Sequence, residues 1–305
     1  MRLKTALMMV AMLAFLAGCR KEVPTAEAPS RRSGVVTTFY PLTYFAGRIA
    51  GGLVEVQCPL PEDEDPATWE PDAAAMKMYQ SASLVVINGA SFEQWVPRAP
   101  LPRSRVVDTT AGVQDQLLHY EHAVTHSHGM AGVHSHEGVD GHTWLDPIMA
   151  SAQAQAILDA MIATFPQHAD AFRTNAQTLF EDLRSLDAEL TALHTSMQGV
   201  KVICSHPAYN YLGRRYGWDL SIVSMDPDTE VTADVVDELE HTAEGAGRCV
   251  VLWESATSDA NERAIRAAIG APGVLYSPCE QEPASGDFVT VVRENIARLR
   301  AAIEP

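Results

Sequence analysis

The chain has 305 residues, 47% of them apolar and 20% charged, with a formal net charge of −17. Such length and hydrophobicity can bury two cores, which excludes a disordered or collagen-like polymer. The charge has the wrong sign for gripping phosphate backbones or lying on anionic lipid, so nucleic acid is not an expected partner.

The first element in chain order is a targeting segment. Arg2 and Lys4 precede an unbroken apolar run from Ala6 to Leu16, and Leu16-Ala17-Gly18-Cys19 follows at once. This is the pattern of an export signal, and its apolar run is too short to span a bilayer. Residues 1–18 are therefore expected to be removed. Residues 19–34, rich in Pro, Ala and charge, are expected to form a tether.

Short β-branched runs then alternate with helical patterns. Strands are predicted at Val35 to Phe39, Leu53 to Cys58, Leu84 to Asn88 and Arg105 to Asp108, with helices after Pro41, around Glu70 to Gln80 and near Phe92. Strand followed by helix, repeated, predicts a parallel sheet with crossovers, here a first lobe over residues 35–147. Seven of the 11 histidines (His119, His122, His126, His128, His134, His136 and His142) fall in one window of that lobe. The window is Gly-rich and aperiodic, so a mobile His-rich loop is expected over residues 119–142, and neutral imidazoles at this density make it a weak chelator.

Asp146 and Pro147 form an N-cap and first-turn pair, opening a helix to about Ala163. Beyond Pro166, apolar residues from Phe172 through Leu179, Leu183, Leu186 and Leu190 to Met197 alternate spacings of four and three, and Gly199 ends the pattern. One helix of about 30 residues, roughly 45 Å long, is expected. Residues 148–198 thus read as connecting helices. A second α/β series fills residues 199–305, with strands at Lys201 to Cys204, Leu220 to Val223, Cys249 to Trp253 and Val274 to Tyr276 and a closing helix from about Phe288 to Ile303. The expected fold class is α/β, two lobes each with a parallel four-stranded sheet flanked by helices, joined by a long rigid helix.

In open α/β sheets ligands bind beyond the carboxyl ends of the strands. Four positions answer that description: His142 just ahead of the capped helix, His206 after the first strand of the second lobe, Asp65 in the acidic loop after Cys58, and Cys279 with Glu280 after Tyr276. One His from each lobe makes a candidate metal site between the lobes. Cys58, Cys204 and Cys249 sit in or beside apolar runs and read as small buried hydrophobes, although three disulfide pairings of the four later cysteines remain open.

Several of these stretches together resemble a known family. Phe39-Tyr40-Pro41-Leu42, the loop at 65–72, His142-Thr143-Trp144-Leu145-Asp146-Pro147 and the run from Ser205-His206-Pro207-Ala208-Tyr209 to Gly217 are similar to the zinc- and manganese-binding solute-binding lipoproteins of ABC importers. The resemblance implies that Cys19 is the lipidated mature N-terminus, holding the protein to a membrane outside the cytoplasm. It also implies one metal in the cleft and docking on an importer permease. His142 and His206 match two of the family's four ligands. Where the family has a His directly after Asp-Pro, this chain has Ala67, and the fourth position falls in the run Ser277-Pro278-Cys279-Glu280.

The candidate metal ligands are therefore His142, His206, Cys279 and Asp65, with Asp63 and Glu70 beside Asp65, and Glu280 or Glu254 as alternatives to Cys279. Two imidazoles with a thiolate favour zinc, whereas added carboxylates also admit manganese or iron. The resemblance ties a His-rich loop in this place to zinc. Two other functions compete: a lipoprotein that only buffers metal through its His-rich loop, and an exported zinc hydrolase. The second lacks a His-Glu-x-x-His helix, since Asp140 stands where its second His would be, and no Gly-x-Ser-x-Gly elbow occurs.

Overall fold

The structure, a computed structural model, describes residues 33–62, 64–120, 124–127, 133–136 and 138–304. The export signal, Cys19, nearly all of the tether, Asp63, His122 and His128 lie outside these residues.

The first lobe is built from β1 (Ser33–Thr37), α1 (Tyr40–Ala50), β2 (Val56–Gln57), α2 (Ala73–Ser81), β3 (Ala82–Ile87) and β4 (Val106–Asp108). Its strands are all parallel, in the order β2-β1-β3-β4. Local chemistry sets the helix ends. Pro41 occupies the first turn of α1, and Gly51 closes that helix in the left-handed region. The Asp72 side chain caps α2 by accepting from Ala75 N.

Where a helix near Phe92 is expected, the chain instead makes a tight left-handed turn with positive φ at Gly89, Ala90 and Ser91. Glu93 is the reason: its Oε1 accepts from Asn88 N at 2.7 Å and from Thr38 Oγ1 at 2.5 Å, tying the turn back to the sheet edge. The His-rich window also departs from the loop expected. It carries an antiparallel hairpin of β5 (Val124–Ser127) and β6 (Val133–His136), with His126 opposite His134. Val124, Thr125 and Val133 supply the β-branched residues that strands favour.

The connecting segment is two helices, α3 (Pro147–Thr164) and α4 (Ala169–Thr191), with a 115° bend at Phe165. Asp146 caps α3, its Oδ1 accepting from Ile148 N at 2.8 Å. The helix expected to run to Met197 ends after 23 residues, and residues 192–199 form consecutive turns. Leu193 and Met197 are nevertheless buried, so the apolar spacing outlasts the helix. No single described helix is long and apolar enough to cross a membrane.

The second lobe contains β7 (Val200–Cys204), α5 (Asn210–Tyr216), β8 (Asp219–Ile222), α6 (Ala233–Ala243), β9 (Arg248–Trp253), α7 (Asp259–Ile269), β10 (Gly273–Leu275) and α8 (Phe288–Ile303). Its parallel order β10-β9-β7-β8, read from the other edge, repeats the first lobe. One hydrophobic core joins the two: Val35 and Val86 of the first sheet, Leu179, Leu183 and Leu186 of α4, and Val202 and Leu252 of the second sheet belong to the same buried cluster. Both sheets thus turn their carboxyl ends toward the loops that carry the expected ligands.

Candidate metal centre

His206 is placed by strand register. In β7 and β9, Cys204 pairs with Leu252, so two residues further on His206 lies beside Glu254. Glu254 Oε2 stands 3.2 Å from His206 Nδ1. Because a carboxylate behind one ring nitrogen favours the N–H there, the Nε2 lone pair is left toward the cleft.

His142 is placed by a loop pinned from below. Asn88 Nδ2 donates to Gly141 O at 2.9 Å, and a Cβ at Gly141 would lie 2.8 Å from Phe92 Cβ. Gly141 therefore lets the chain pass over Phe92, whose ring packs edge-on to His142 with centroids 5.8 Å apart. His142 Nδ1 donates to Asp140 Oδ1 at 2.8 Å, which again aims Nε2 into the cleft. Burial pulls the imidazolium form down, but the Asp140 carboxylate outweighs it, with help from Glu280 and Asp65, and holds the His142 pKa above its ordinary value.

The two aimed nitrogens meet. His142 Nε2 and His206 Nε2 are 3.4 Å apart, and Glu280 Oε1 is 3.6 Å from His142 Nε2. His142, His206 and Glu280 each offer one ligand atom, all within 4.8 Å of one another, and this is the one such group among the described residues. Both imidazoles are almost fully buried while Glu280 is partly open. Three donors this close, each contributing a lone pair, would fill three of the four or five positions of a tetrahedral or five-coordinate divalent cation.

Glu280 is held by its loop. Asn295 of α8 accepts from Ser277 N at 3.1 Å and donates to Ser277 O at 2.7 Å, while Trp144 Nε1 donates to Pro278 O at 2.8 Å.

The remaining sequence candidates are not among these three grouped donors. Cys279 is buried at a positive φ of 58°, and burial together with the Glu280 and Asp287 charges pushes its thiol up to about 12, a weak source of thiolate. Asp65 organises its own loop, Oδ1 accepting from Ala67 N at 2.8 Å and Oδ2 from Thr68 Oγ1 at 3.0 Å. Its charge nonetheless reaches His142. Ala67 is buried in the core, Glu70 pairs with Arg98 on the surface at 2.5 Å, and Glu254 backs His206. Asp140, the acceptor that orients His142, was not singled out as a site residue by its sequence. The signal was there in its position, two residues from a histidine at a sheet edge, which is where a ligand-orienting carboxylate would sit. The four later cysteines are free thiols.

The family model for ZnuA, the zinc-uptake complex component A, periplasmic, matches residues 35–302. The chain belongs to that family. Among similar proteins, the zinc-binding lipoprotein AdcA of Streptococcus pneumoniae R6 is 28% identical, over 95% of this chain and 60% of its own length. The high-affinity zinc uptake system protein ZnuA of Bacillus subtilis 168 is 25% identical, over 92% of this chain and 90% of its own. The chain thus spans only about three-fifths of the pneumococcal relative. The crystal structure of the Zn(II)-bound ZnuA-like domain of pneumococcal AdcA superposes with a TM-score of 0.76 at 24% identity, covering 90% of this chain and all of that domain. The two-lobed α/β fold of this ZnuA-family chain is that of its solved relatives.

Proposed function

We propose that this protein captures zinc between its lobes through His142, His206 and Glu280, and delivers it outside the cytoplasm to the permease of an ABC importer. Cys19, as the lipidated N-terminus, would tether it to the membrane. The observation that carries the reading is the convergence of two carboxylate-backed imidazoles and a third carboxylate, drawn from both lobes, on a point wide enough for one ion. The names of the relatives, zinc-binding AdcA and the zinc-uptake protein ZnuA, support zinc as cargo, and a donor set of two nitrogens and a carboxylate also accommodates manganese. On this reading the protein is a carrier and turns over no substrate.

A chelator-competition titration of the soluble body from about Ser33, run with zinc and with manganese, tests the reading. One tight zinc equivalent is expected, and the His142→Ala, His206→Ala double variant should lose it, since zinc sites of this kind are worth roughly 10 kcal/mol. Weak equivalents alone, unchanged in the double variant, would leave only a buffering role for the His-rich segment. For the anchor, Cys19→Ser should move the protein from membranes to the soluble fraction; detergent-dependent association that persists would remove it.

A further inference from the structure

His142 reaches His206 across the boundary between lobes, and no covalent segment near either residue fixes that distance. Hydrogen bonds do. Tyr211 on α5 of the second lobe is fully buried, its Oη accepting from Leu118 N at 3.1 Å and donating to Asp140 O at 2.7 Å. Leu118 and Asp140 are themselves paired, Asp140 N donating to Leu118 O at 2.8 Å, so one phenol joins both chains at the base of the hairpin. Beside it, Asn210 Nδ2 donates to Asp140 Oδ2 at 2.9 Å, the oxygen that Asp140 does not offer to the His142 ring. Asp140 is therefore gripped by its backbone and its side chain from the lobe that carries His206.

We propose that Tyr211 and Asn210 are positioning residues that form an interlobe latch, holding Asp140 and through it His142 in register with His206, so that breaking the latch speeds metal release. The proposal rests on the metal reading of the cleft. Its physical basis is that an imidazole ligand is only as well placed as the carboxylate behind it, and this carboxylate takes its second set of bonds from the opposite lobe. Both latch residues lie within five residues of His206 and in the first turn of α5, so the segment that presents one candidate ligand also fixes the other.

The test uses Tyr211→Phe, which keeps the ring in its cluster with Val113 and Met149 and removes only the hydroxyl, alongside Asn210→Ala and the double variant. Zinc-loaded protein is mixed with excess chelator and the release rate followed, and the cobalt(II) form is examined by visible absorption. Release about tenfold faster than wild type is expected in each single variant, with a changed cobalt band. The double variant should fall short of the product of the two, because both act on Asp140. Asn261→Ala serves as the control for simple loss of stability: it breaks a buried clamp in the second lobe, where Asn261 Nδ2 donates to Thr229 O at 2.8 Å, and should lower the melting temperature without altering release. Release within twofold of wild type in both latch variants overturns the latch alone. So does equal acceleration by Asn261→Ala, or an unchanged cobalt spectrum. Absence of any tight equivalent in the wild type overturns the cleft reading, and the latch with it.

Discussion

Glu280 and Cys279 are neighbours in the chain, Cys279 buried and Glu280 partly open, and their variants test which of the two would serve a metal ion. Glu280→Gln should weaken zinc by more than the roughly 10–100-fold typical of losing an outer hydrogen-bond partner, and Cys279→Ser should leave affinity unchanged; isothermal competition with a chelator measures both. Spacing along the sequence cannot make this choice, because in an aperiodic loop the direction of a side chain depends on backbone dihedrals, and the left-handed turn at Cys279 has no counterpart in composition. His142 and His206 were legible because strand ends and a helix cap fix where they fall. A second residue-scale prediction concerns Glu93. Burial raises its carboxyl above the ordinary 4.5, against the donors Thr38, Asn88 N and Gly89 N that favour the charged form. The folded chain then holds this proton more tightly than the unfolded chain does. Its contribution to stability is complete below the ordinary value and is lost as pH rises through the raised one. Glu93→Gln should therefore show a urea-unfolding free energy that falls less than wild type as pH rises above the ordinary carboxyl range.

Among the elements, α4 carries the clearest signal and the clearest error. Its buried stripe of Phe172, Ala176, Leu179, Leu183, Leu186 and Leu190 was readable from the alternating spacing, and each of these side chains is buried. Leu183→Ala should cost about 2–5 kcal/mol in urea or thermal unfolding, the range for a large side chain lost from a packed core. The length was overread because burial, and not helicity, is what the spacing reports: Leu193 and Met197 meet the same core from successive turns, with Met197 N donating to Leu193 O at 2.9 Å. The strands were found with end shifts of at most two residues, except that β2 keeps only Val56 and Gln57 of its predicted run. The hairpin of β5 and β6 is not legible in the sequence because histidine and serine carry little strand preference and the two strands contain only Val124, Thr125 and Val133 as β-branched residues.

At the scale of the whole molecule, the shared core predicts one unfolding event. Calorimetry of the body from about Ser33 should show a single transition that zinc shifts upward, because an ion bound to the folded form stabilises everything that unfolds with it. Two resolved transitions would mean that the lobes melt separately. The same core, with α4 packed against α1 of one lobe and α8 of the other, leaves little room for a swinging hinge. X-ray scattering curves with and without zinc should superpose. If those curves superpose, the body is a socket and not a jaw, its outline constant and any change on filling confined to the rim. A partner that must tell full from empty has to feel the set of a few rim side chains, so its discrimination is a matter of local fit, and an empty molecule whose rim is already in place would compete for the same berth.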